Sequence, residues 1–209
     1  MSKSAFARFT PFFGMLLVLL LAPFCAASDW DYQETHSEVH DFAAGGTLHV
    51  HLHIGDLHIT RGKDSSQIHL RYTIKSKRES NLKSSRVNFD IHNSDGSLEF
   101  HAAGSNTQFD VELEVPANTR LDVQEKIGDL RVENIEGDKE LKLGIGDIHV
   151  ANEHSGYSLI QASAGIGDVN SGGYGETSGW LGKTLKYHGD GKYELRAHVG
   201  IGDITLEGK

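Results

Sequence analysis

Cysteine, proline and long apolar runs are nearly missing from this chain, and each absence narrows what it can be. Its 209 residues include one cysteine, Cys25, three prolines and two tryptophans. Cys25 lies in an N-terminal leader, so the rest of the chain has no thiol. Disulfide staples and thiolate metal sites are excluded there, although export would permit disulfides. Beyond the leader no segment approaches the roughly 20 apolar residues that a spanning helix needs. Helical periodicity is also scarce; the polar, basic stretch from Ser76 to Ser85 reads as a loop or one short helix. The signatures of common catalytic sites are lacking too. Ser163 and Ser171 stand outside any Gly-x-Ser-x-Gly elbow, and neither a His-Glu-x-x-His helix nor a phosphate loop occurs. The reading is therefore a non-enzyme with no cofactor. A pair of acids for glycoside hydrolysis, on a β-helix acting on cell-surface polysaccharide, is the enzymatic alternative; it would need two carboxyls about 5–10 Å apart.

The first residues have the order of a secretory leader. Lys3 and Arg8 give a basic start, residues 12–22 are uncharged and mostly aliphatic, and Cys25-Ala26-Ala27 supplies small residues before Ser28. Cleavage is expected after Ala27. Pro23 and Phe24 before Cys25 depart from the small residues that a lipidation site places there. The expected division is a signal peptide over 1–27, an N-terminal extension over 28–39 and one domain over 40–209. After cleavage no transmembrane helix is expected, and the product is exported, to the periplasm or the cell surface.

The leader has two basic residues and no acid, so its removal takes the formal charge from −9 to −11. An acidic chain is poorly suited to nucleic acid, whose binding rests on Lys and Arg against phosphate. All 13 histidines lie outside the leader, and their full protonation would bring the charge to +2.

What the chain does have is a repeat. Ile-Gly-Asp occurs five times, at Ile54-Gly55-Asp56, Ile127-Gly128-Asp129, Ile145-Gly146-Asp147, Ile166-Gly167-Asp168 and Ile201-Gly202-Asp203. An aliphatic residue follows each: Leu57, Leu130, Ile148, Val169 and Ile204. The starts are 73, 18, 21 and 35 residues apart, which a unit near 18 residues fits as about four, one, one and two steps. Gly reaches positive φ without a Cβ clash, and Asp bonds back to nearby backbone, so the pair bends a chain sharply. Around the bends the pattern has period two. Leu141, Leu143 and Ile145 alternate with Lys142 and Gly144, and Tyr193, Leu195, Ala197, Val199 and Ile201 alternate with polar residues or glycine. That argues strands with one buried and one wet face, and places the motif isoleucines with the core. The expected fold is all-β, a single-domain β-solenoid or β-helix-like stack in which like turns lie on one another. An antiparallel meander, with each Gly-Asp a two-residue hairpin, and a β-sandwich are the alternatives.

Gly46-Thr47-Leu48 leading to Gly55-Asp56, then Val115-Pro116-Ala117 before Leu121, the chain of Gly-Asp turns, and Gly191-Lys192-Tyr193 before Gly202-Asp203 resemble the bacterial putative-adhesin family of exported β-strand-repeat proteins, a domain of unknown function. The likeness spans roughly residues 40–209. It implies a β-solenoid-like fold at the cell envelope and supplies no catalytic residues. The function it leads to is a scaffold or adhesin-like binding module whose partner is an envelope protein or glycan.

Three groups of side chains are candidate sites. His49, His51 and His53 share the wet face of one strand and could ligate Zn²⁺ or Cu²⁺ as a periplasmic metal binder. Successive ones stand about 6.5–7 Å apart, too far for one ion to reach all three undistorted, and a solvated strand face is the plainer reading. The turn residues Gly55, Asp56, Gly128, Asp129, Gly146, Asp147, Gly167, Asp168, Gly202 and Asp203 read as structural; a calcium roll would need a second recurring acid. Tyr174, Trp180 and Tyr187, in the glycine-rich stretch from Gly172 to Gly191, are candidate ligand contacts or a cover for a sheet edge.

Overall fold

The computed structural model describes residues 30–152 and 156–208. The expected leader over 1–27 lies outside the described residues. The chain is all-β. In order, it forms β1 (Tyr32–Asp41), β2 (Thr47–Arg61), β3 (Gln67–Ser76), the short helix α1 (Glu79–Ser84), β4 (Arg86–His92), β5 (Asp95–His101), β6 (Thr107–Val115), β7 (Arg120–Ile127), β8 (Leu130–Glu133), β9 (Lys139–Ile145), β10 (Ile148–Asn152), β11 (Tyr157–Ile166), β12 (Val169–Asn170), β13 (Thr184–His188), β14 (Tyr193–Ile201) and β15 (Ile204–Gly208). β1 begins at Tyr32, inside the stretch read from sequence as an N-terminal extension, and pairs along its length with β3.

The strands make one continuous sheet with two halves that share β2. In the first half the order is β4-β5-β2-β7-β9-β14-β11-β13, and every pair from β5 to β11 is parallel. In the second the order is β1-β3-β6-β2-β8-β10-β15-β12, parallel from β6 onward. Antiparallel strands flank the parallel run: β4 beside β5, β13 beside β11, and β3 beside β6 with β1 beyond β3. Each rung runs through the first half, bends at an Ile-Gly-Asp motif and continues in the second. The strands on either side of a bend pair with neighbouring rungs, so the like turns lie on one another.

The inward residues explain why these segments fold together. Leu48, Val50 and Leu52 of β2 are buried beside Leu121 and Val123 of β7, Leu141 and Leu143 of β9, and Leu195, Ala197 and Val199 of β14. Leu57, Ile59, Leu130, Val132, Ile148, Val150, Ile204 and Leu206 line the second half, and both sets belong to one core cluster. A buried Val or Leu side chain contributes about 1.5–3 kcal/mol, so the repeated aliphatics supply most of the driving force. Phe100, Phe109 and Tyr72 fill the core near the antiparallel flank, with the two phenylalanine rings 5.2 Å apart. α1 is only six residues long and sets Leu82 against that flank.

The rung count expected from spacing is corrected. Ile54 and Ile127, 73 residues apart, are in-register neighbours, one step and not four. The intervening residues form β3, α1, β4, β5 and β6, which border the stack instead of adding Ile-Gly-Asp rungs to it. The last two motifs also exchange places: β14 lies between β9 and β11, so the spatial order of turns is 56, 129, 147, 203, 168.

Candidate functional site

At the corners, both residues of each Gly-Asp pair have a geometric task. The five glycines sit at φ between +132° and +148°, a region L-residues rarely adopt. A Cβ built on Gly128, Gly146, Gly202 or Gly167 would overlap the carbonyl oxygen of the glycine on the adjoining rung, so glycine is required for space as well as for conformation. The aspartates form a ladder. Asp129 N–H donates to Asp56 Oδ1 at 3.3 Å, Asp147 N–H to Asp129 Oδ1 at 3.1 Å, Asp203 N–H to Asp147 Oδ1 at 2.8 Å and Asp168 N–H to Asp203 Oδ1 at 2.7 Å. Four of the five carboxylates, those of Asp56, Asp129, Asp147 and Asp203, thus satisfy a backbone donor that the bend takes out of the regular pattern, and Asp168 ends the ladder as a donor. Burial, opposed by the bond from Asp129, raises the Asp56 carboxyl above its ordinary range; Asp110 and Asp129 push the same way as burial.

The motif isoleucines depart from the expected placement. Ile127, Ile145, Ile201 and Ile166 are 46%, 48%, 48% and 51% exposed, although simple alternation groups them with the core. Each stands on the bend itself, where the layer ends and only strand neighbours cover it. With Ile54 they form an in-register row across five adjoining rungs, about 19 Å long at 4.8 Å per step. A bridge between Gly167 and Gly182 brings the chain bearing Leu181 and Trp180 alongside one end of the row. Leu181 is 67% exposed and Trp180 96%. On the first-half side, the column Gly144, Gly200 and Gly165 leaves bare backbone beside the isoleucines. On the other side runs the aspartate ladder. The edge of the molecule is therefore an apolar ridge bordered by a line of negative charge.

On β2, His49 and His51 are half-buried and His53 is exposed, on the face opposite the core. His49 Nδ1 lies 3.1 Å from Asp122 Oδ2 and its Nε2 3.3 Å from Asp95 Oδ1. His51 and His53 follow along β2, and His53 is held below its ordinary pKa by partial burial and by neighbouring Lys126, His101 and His51. Among the described residues no three His, Cys, Asp or Glu side chains gather as a metal ion requires. Of the aromatic candidates, Tyr174 is buried and meets Tyr157 and Tyr187 edge-on at 6.1 and 5.2 Å, Tyr187 is half-buried, and Trp180 alone projects into solvent.

Two charged residues that sequence reading passed over occupy inward positions in leucine columns. Glu125 stands between Leu52 and Leu143, and Lys139 between Leu121 and Leu195. Both are almost fully buried. Glu125 folds against Gly128, and neither carboxyl oxygen has a hydrogen-bond partner among the described residues. Burial, then Asp56 and Asp129, push its carboxyl up to about 8. Lys139 Nζ donates to Gly137 O at 2.8 Å and sits 5.1 Å from the centre of the Tyr157 ring, and burial brings it down to about 7. The signal was present in the period-two pattern: Leu121-Val123-Glu125 and Lys139-Leu141-Leu143 each put one charge on the aliphatic face.

Comparisons with known proteins bear on the fold. No family model matches the chain, and no curated protein does either. Among solved structures, a putative cell adhesion protein from Clostridium sporogenes aligns with 84% of this chain and 100% of its own, at 16% identity and a TM-score of 0.52. A putative adhesin from Bacteroides fragilis aligns over 83% and 97%, at 8% identity and a TM-score of 0.29. The first of these likenesses is one of fold. Among the described residues no helix is long and apolar enough to cross a membrane.

Proposed function

We propose that this chain is an exported, non-enzymatic binding module of the cell envelope or surface, and that it meets an envelope protein or glycan along its turn edge. The observation that carries the reading is the isoleucine row ending in Leu181 and Trp180. A contiguous exposed apolar row bordered by charge is what interaction surfaces present, whereas single exposed apolar residues are commonplace. The fold supports it: the parallel rungs, read as a solenoid-like stack, make the edge straight and give every rung the same side chain at the same place. The adhesion-related name of the Clostridium sporogenes structure agrees with such a role. The histidine face stands as a second outward surface of the same module.

The test compares residues 28–209 with an Ile145→Asp/Ile201→Asp/Trp180→Ala variant for binding to bacterial envelope fragments and to a glycan array. Circular dichroism and thermal melting confirm that both are folded. The reading predicts that retained binding falls ~10-fold or more, the scale set by losing one or two central anchors. Undiminished binding by the folded variant would contradict it.

A further inference from the structure

Away from the Ile-Gly-Asp edge, where the second-half strands end and the first-half strands begin, there is a cavity of about 190 Å³. Arg61, Ile135, Lys139, Asn152, Tyr157 and Tyr193 help to line it. Its size lies below the roughly 300–1,000 Å³ of sites for drug-sized ligands, so its occupant would be small.

The hydrogen-bond inventory fixes what that occupant must offer. Asn152 is buried, and its side-chain amide pairs with one peptide unit: Oδ1 accepts from Ile135 N–H at 3.0 Å and Nδ2 donates to Ile135 O at 2.8 Å. That two-point pairing sets the orientation of the amide. Nδ2 then gives its second hydrogen to the Tyr157 hydroxyl oxygen. The phenol is an acceptor in that bond, so its own hydrogen is left to donate. Lys139 gives one hydrogen to Gly137 O and is in no ion pair with a carboxylate among the described residues. Two buried donors with hydrogens to spare, one of them an amine, therefore adjoin at the inner wall of this pocket, where the flanking rungs carry leucine. A buried lysine in a leucine column destabilises the fold unless something is gained from it. Ile135 and the tyrosine rings give the cavity its apolar wall.

We propose that this cavity binds a small organic carboxylate, its oxygens taking hydrogen bonds from Lys139 Nζ and the Tyr157 hydroxyl and its apolar part lying against Ile135 and Tyr193. Charged groups around the amine are Asp138 and Glu136 on the adjoining turn and Arg61 at the end of β2, which Glu136 holds at 3.2 Å. The site is separate from the turn edge, so its fate does not depend on the reading above.

The experiment titrates sodium acetate, propionate and benzoate into residues 28–209 at pH 6.0 and pH 9.5. Ionic strength is constant, inorganic phosphate is a parallel arm, and the readouts are calorimetry and amide chemical shifts. Saturable carboxylate binding at pH 6.0 is expected, with shifts at Ile135, Asn152 and Tyr157. It should weaken ~10-fold or more in Lys139→Met and at pH 9.5, the scale for losing a charge-assisted partner. Tyr157→Phe should weaken it several-fold, and this variant decides the matter if Lys139→Met does not fold. The proposal is overturned if none of the three carboxylates saturates at pH 6.0, if phosphate alone binds, or if both variants bind as the parent does.

Discussion

At Gly146 two constraints meet in one residue: φ of +132° and a carbonyl oxygen of the neighbouring rung where a Cβ would be. Gly146→Ala should therefore cost ~3 kcal/mol or more, in the upper range for single substitutions, measured by urea unfolding. Asp147 has a milder task. It accepts the Asp203 N–H, so Asp147→Ala should cost about 1 kcal/mol, whereas Asp147→Asn retains an acceptor oxygen and should stay within ~0.5 kcal/mol of the parent. Equal losses for Ala and Asn would mean that charge, not the hydrogen bond, is what matters there. Glu125 is a case of stability forgone. Its carboxyl rises from 4.5 to about 8 on folding, so the folded chain retains a proton that the unfolded chain has lost. Stability then falls as pH rises between those values, by an amount on the order of 3–5 kcal/mol. Glu125→Leu, which completes the column of Leu52 and Leu143, should raise the melting temperature at pH 8 and flatten that slope.

At the scale of the element, the rung is a strand, a bend and a strand, and much of it could be read directly from the chain. Period-two alternation located β9 and β14, the Gly-Asp pairs located the bends, and the polar 76–85 stretch contains α1. The outward isoleucines were not legible. Alternation assigns parity along a straight strand, whereas exposure at a bend depends on where the opposing layer stops. The buried charges were half legible: period-two parity puts one charge on each aliphatic face, but the depth of Lys139 and Glu125 follows only once Leu121, Leu195, Leu52 and Leu143 are placed beside them. The aspartate ladder belongs to this scale as well. Five carboxylates about 4.8 Å apart repel one another, and salt screens exposed charges at such distances. Melting temperature should rise with sodium chloride between low ionic strength and 0.5 M, and the rise should shrink in an Asp129→Asn/Asp147→Asn/Asp203→Asn variant. An equal rise in that variant would place the repulsion elsewhere.

For the whole molecule, the two buried charges set opposing pH limbs. Lys139 falls from 10.5 to about 7 on folding, so between those values the unfolded chain binds the extra proton and stability increases with pH. Glu125 gives the opposite slope from 4.5 to about 8. From these two groups a stability minimum is expected near pH 7–8; Lys139→Met should remove the upper limb and Glu125→Leu the lower one, as read by denaturant melts across pH. The order of rungs is also a property of the whole chain, and it escaped the sequence for that reason: spacing reports separation along the chain, and an insertion of paired strands or a late rung slipped between earlier ones leaves the motifs unchanged. The central claim is that the Ile-Gly-Asp motifs are adjoining corners of one stack in the order 56, 129, 147, 203, 168. Disulfide trapping tests it most directly, because residues 28–209 contain no cysteine and a disulfide needs Cα atoms about 4.4–6.8 Å apart. Under mild oxidation the pair Asp147→Cys with Asp203→Cys, 56 residues apart in the chain, should crosslink rapidly within the folded monomer. The pair Asp147→Cys with Asp168→Cys, only 21 apart, should not. Crosslinking of the second pair in place of the first would contradict the stack.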